Sequence, residues 1–112
     1  MVMDESQKRE PALVSELAGD ADLAELLAQF VATLGERVAA MEASLAAGDF
    51  GRTAALAHQL KGAAGGYGFP TITDAAKRLE ALVRSADDAE GARAQLSDLA
   101  ALCARASAGP PG

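Results

Sequence analysis

The chain has 112 residues and a formal net charge of −6, a length that fits one domain able to bury its own core without metal or disulfide support. The acidic balance argues against the clustered basic surface of a nucleic-acid binder and against docking on an anionic membrane. Half the residues are hydrophobic but only 4% are aromatic, and alanine and leucine dominate over β-branched residues, which predicts an all-helical domain.

The first ten residues, "MVMDESQKRE", are polar, contain no signal-peptide core, and are expected to form a flexible N-terminal segment. The predicted domain then runs over 11–107. Pro11 suits the first turn of a short helix through "ALVSELA", closed by Gly19. Asp20 or Asp22 can cap the next helix. That helix carries Leu23, Leu26, Leu27, Phe30, Leu34, Val38, Met41 and Leu45 at steps of three and four, the pattern of an amphipathic helix of roughly 25 residues. The stretch "AAGD", Ala46 to Asp49, stops it, and Asp49 can cap the helix after it.

That further helix starts near Phe50, holds His58, and ends in "GGYG", where Gly66 and Gly68 form the turn. Pro70 opens the next helix, with Ile72, Ala75, Ala76, Leu79, Leu82 and Val83 on one face. Asp87 and Asp88 mark a turn and a new cap. The last helix carries Ala92, Leu96, Leu99, Leu102, Cys103 and Ala106. Residues 108–112 form a tail that cannot continue a helix. Short connections make consecutive helices antiparallel, so the expected architecture is an up-down four-helix bundle with a short additional N-terminal helix. Cys103 reads as a small buried hydrophobe. No apolar run is long enough to span a bilayer, and a cytoplasmic monomer is expected.

His58 is the one histidine of the chain. On a helical wheel Leu56, Ala57, Leu60 and Ala64 form the core stripe, and His58 lies roughly opposite its centre. Its neighbours at spacings of three and four are Ala54, Ala55, Lys61 and Gly62, with Gly51 and Gly65 one turn further out. Apart from the lysine these are all alanine or glycine, so the imidazole stands on a nearly flat patch. Gly62 costs the helix about 1 kcal/mol relative to alanine, which is reasonable if a second protein must bring its own site onto the ring. Imidazole has an unperturbed pKa near ~6.5 and is partly neutral and nucleophilic at cellular pH. A nucleophilic nitrogen, a lysine one turn away and an open approach suit phosphoryl transfer, where positioning and charge neutralisation do most of the catalysis.

The stretch "AHQLKGAAGGYGFPTITDAAKRLE", Ala57 to Glu80, resembles the histidine phosphotransfer (HPt) domain of two-component multistep phosphorelays. The matching positions are His58, Leu60, Lys61, Gly62, Ala63, Ala64, Gly68, Ile72, Leu79 and Glu80. Ala63 and Ala64 stand where many members have serines, and Ala76 where a cysteine is often found. The resemblance implies that His58, through Nε2, accepts a phosphoryl group from the aspartyl phosphate of a response-regulator receiver domain and passes it to another receiver aspartate. Lys61 would stabilise the phosphate, Gln59 would donate to it or to the partner, and Gly62 would give access, with Ala55, Gly65 and Gly51 completing the flat patch. Arg52 reads more simply as a solvated side chain.

The same resemblance implies a phosphocarrier without a kinase domain. No cofactor is expected on this chain, with Mg²⁺ on the receiver, and no metal site. Receivers and a hybrid histidine kinase are the implied partners. Three rivals set against it are a helical-bundle adaptor whose histidine is never phosphorylated, an enzyme using His58 as acid or base, and a metal site, which would need ligands from other helices and lacks a Glu-x-x-His pattern. The second lacks a carboxylate beside His58 on its own helix face.

Overall fold

The computed structural model describes residues 12–85 and 88–109. Four helices, α1 (Ala24–Ala46), α2 (Phe50–Gly66), α3 (Pro70–Ser85) and α4 (Ala89–Arg105), make up most of it. Each packs on the next, and α4 closes back on α1, so the four form a bundle, with α2 and α3 the most closely apposed pair.

The breakers in the sequence act through identifiable hydrogen bonds. Asp20 accepts from the Asp22 amide at the start of a single 3-10 turn, Ala21–Leu23, which leads into α1. At the end of α1, Gly48 takes φ +76°. Its amide donates to the Leu45 carbonyl, and the Asp49 amide donates to the Ser44 carbonyl. That pair of bonds is the Schellman closure, which satisfies carbonyls the helix end would otherwise leave free. Asp49 then caps α2 by accepting from the Arg52 amide at 3.1 Å.

The end of α2 repeats the closure. Gly68 has φ +81°, its amide donates to Gly65, and the Phe69 amide donates to Ala64. Pro70 comes next as the first residue of α3, where a missing amide costs nothing. Asp88 caps α4 through the Gly91 amide at 2.7 Å; Asp87 lies outside the described residues.

The core is aliphatic. Leu27, Leu34, Met41, Leu60, Ile72, Leu79 and Leu99 are fully buried, each contributing about 1.5–3 kcal/mol by transfer from water. The scarce aromatics gather at one end, where the Phe30 and Tyr67 rings stack at 4.8 Å and Phe69 packs beside them at 5.9 Å. Cys103 is buried, and that burial pushes its thiol up to about 11, partly offset by the charge of Arg37.

Three expectations need correction. The segment after Pro11, itself outside the described residues, is not a helix. Leu13–Val14 form strand β1, paired in parallel with β2 (Ala106–Ser107), and turns lead on to Gly19. The cause is tertiary. Ser15 Oγ donates to the Tyr67 carbonyl and accepts from the Leu17 amide, while the Glu16 amide donates to the Gly68 carbonyl. The segment thus clips the turn between α2 and α3, and these bonds replace the helical ones. Ala106 accordingly ends α4 in an extended conformation rather than continuing its apolar stripe. Leu26, read as a core position, is 45% exposed, while Leu27 next to it, about 100° further around the helix, is the one that is buried.

Candidate functional site

His58 lies in the middle of α2 and its side chain is 62% exposed. The stripe beneath it, Ala57, Leu60 and Ala64, is fully buried, while Leu56 is only partly covered. Ala54 does not share the histidine's open face. It is buried, because the position four residues before His58 turns toward the core side of the helix. Ala55, Gly51, Gly62, Gly65 and Gly66 are all exposed, as are Gln59 and Arg52.

The glycines differ in what the fold asks of them. A side chain at Gly68 would meet Ser15 Oγ at 2.7 Å on a backbone already at positive φ, so that glycine is fixed by the structure itself. Gly62 is the opposite case. A Cβ there meets nothing within 4 Å, and the same holds at Gly66. No packing among the described residues requires glycine at 62.

The residue that sequence reasoning left without a role is Glu80. It projects from α3, is buried, and gathers two cations and the His58 imidazole. His58 Nδ1 lies 3.2 Å from its Oε2 and 3.4 Å from its Oε1. Lys61 Nζ lies 3.1 Å from Oε1, and Arg84 donates to Oε2 from Nε at 2.9 Å and from its terminal nitrogen at 2.8 Å. Burial alone would raise this carboxyl. The hydrogen bonds from Arg84, Lys61 and His58 outweigh it and hold the pKa down at about 2. Thr73, also on α3, donates to the Lys61 carbonyl at 3.4 Å and steadies that stretch of α2.

An ionised carboxylate can only accept hydrogen bonds. In the neutral imidazole the proton therefore sits on Nδ1, facing Glu80, and the lone pair sits on Nε2, facing solvent. Lys61 and His58 are brought together through the shared carboxylate, whereas Gln59 lies about 100° around the helix from His58, outside the cluster. The signal for Glu80 was present in the Leu79-Glu80 pair. In an antiparallel hairpin turning at Gly68, positions ten before and twelve after the turn come level with each other.

Among the described residues no group of three or more metal-ligating side chains is assembled, and no helix is long and apolar enough to cross a membrane. The family model described as "Hpt domain" matches residues 25–109, three-quarters of the chain. This protein belongs to the Hpt domain family, whose members carry phosphoryl groups on histidine in phosphorelays, are phosphocarriers rather than kinases, and interact with receiver domains and kinases of two-component systems. Comparison with curated proteins and with solved structures gave no match.

Proposed function

We propose that His58 is the phosphorylated residue, and that the protein takes a phosphoryl group from a receiver's aspartyl phosphate and hands it to the aspartate of another receiver. The observation that carries this reading is the exposed imidazole whose Nδ1 is held by Glu80, on a face left open by Gly62.

The Nε2 lone pair attacks phosphorus. The N–P bond forms as the acyl-phosphate P–O bond breaks, and the aspartate leaves as carboxylate with the bonding electrons. Nδ1 keeps its proton, so the phosphorylated ring is cationic, and the Glu80 carboxylate faces that charge. Lys61, within reach of both the ring and Glu80, can turn its ammonium to the arriving phosphoryl oxygens. Gly62 leaves room for the partner's active-site loops, and Gln59, Ala55, Gly51 and Gly65 lie on the surface the partner would cover. The Mg²⁺ for the reaction belongs to the receiver. The return step is the same displacement run in reverse onto a second aspartate.

The test is transfer from a labelled, phosphorylated receiver with Mg²⁺ to this protein and to its His58→Gln variant. Label on the wild type alone, lost in acid and kept in alkali, is the expected result. No label from any of several receivers, with circular dichroism showing a folded bundle, would favour the adaptor instead.

A further inference from the structure

The −6 charge of the chain is unevenly placed. Between Phe50 and Ser85, the α2–α3 hairpin, Arg52, Lys61, Lys77, Arg78 and Arg84 stand against only Asp74 and Glu80, a formal charge of +3. The remainder of the chain therefore carries −9. Within α2 there is no acidic residue at all, although its Asp49 cap sits just outside. Of the two acids on the hairpin, Glu80 is buried beneath its cationic partners, which leaves Asp74 as the exposed one. Arg52, Lys77, Arg78 and Arg84 are exposed. Lys77 lies one turn before Glu80 on α3 and is its i,i+3 neighbour.

We infer that this hairpin is an electropositive docking face that selects, among receiver domains, those whose rim around the acceptor aspartate is acidic. The inference rests on the phosphorelay reading above and adds the chemistry of the partner. A positive face on a negative body is an oriented charge pair. It turns His58 toward an acidic surface during diffusional approach. The effect belongs to encounter, so it is strongest at low ionic strength and fades as the Debye length falls below about 10 Å.

The experiment measures label transfer with Mg²⁺ from two phosphorylated receivers, one with an acidic and one with a basic rim, across ionic strengths and receiver concentrations. Three proteins are compared with wild type. Lys77→Glu lowers the charge of the hairpin by two on the flank of α3 that carries Glu80, Arg93→Glu makes the same change of charge on α4, and His58→Gln removes the acceptor.

The acidic-rimmed receiver is expected to be the better donor. The hairpin variant should lower its second-order rate constant roughly three- to tenfold at low salt and converge with wild type at high salt. Its rate at saturating receiver should be unchanged, and Arg93→Glu should behave as wild type. Equal losses in the hairpin and Arg93→Glu variants, or a wild-type rate flat with salt, would overturn the docking inference while leaving His58 as the carrier. Label on His58→Gln, or transfer from neither receiver, would overturn the phosphorelay reading and the inference with it.

Discussion

Replacing Glu80 by glutamine keeps the shape of the buried side chain and removes its charge. In the folded protein this carboxyl titrates at about 2, against 4.5 for the ordinary group. A depression of that size corresponds to on the order of 3 kcal/mol of stability at neutral pH. The contribution is fully present above the unfolded value near 4.5 and is lost as pH falls toward 2.

The three partners moderate the loss. His58 and Arg84 have about 60% of their side chains in solvent and Lys61 about 31%, so water can replace the missing carboxylate for each. Glu80→Gln is therefore expected to cost about 1–3 kcal/mol at pH 7. The assay is urea unfolding followed by circular dichroism from pH 7 to pH 2.5, on both proteins. The gap between wild type and variant should hold from pH 7 to about 5 and then close as the pH falls further. A gap that stays constant to pH 2.5, or is absent at pH 7, would refute the account of Glu80 as a carboxylate held ionised by its three neighbours.

Gly62→Gln should leave the bundle intact and raise its stability by up to about 1 kcal/mol, since the position is helical and open. The same variant should slow transfer from a receiver, and an unchanged rate would remove the access argument. Lys61→Ala should cost less than about 1 kcal/mol in urea unfolding, its side chain being part-exposed, but should lower the yield of phosphoprotein or shorten its lifetime in a chase experiment. Gly68→Ala should lose roughly 1–3 kcal/mol, because alanine must adopt a positive φ and displace Ser15. A melting temperature equal to wild type would contradict that.

The helices were legible because their signals are local. Steps of three and four between leucines, and glycine, aspartate and proline at the breaks, act within a few residues, and the Gly48, Gly68, Asp49, Asp88 and Pro70 positions all do the work their residue types suggest. What depends on distant partners was not legible. "ALVSELA" has helical composition, yet Ser15 and Glu16 bond to a turn more than fifty residues away. His58, Lys61 and Gly62 could be placed on one side of α2 from spacing alone. Ala54 could not, since a wheel does not say how far the neighbouring helices wrap around α2. Glu80 required knowing which helix lies beside α2 and at what height.

The imidazole and the three groups clustered with it all come from one helical hairpin, and none comes from α1 or α4. Reactivity and support are thus separable along the chain. Substitutions in the outer helices reach His58 only through packing, so drift there is felt as melting temperature before it is felt as chemistry. A change at 58, 61, 80 or 84 alters the reactive constellation directly, whatever the rest of the bundle does.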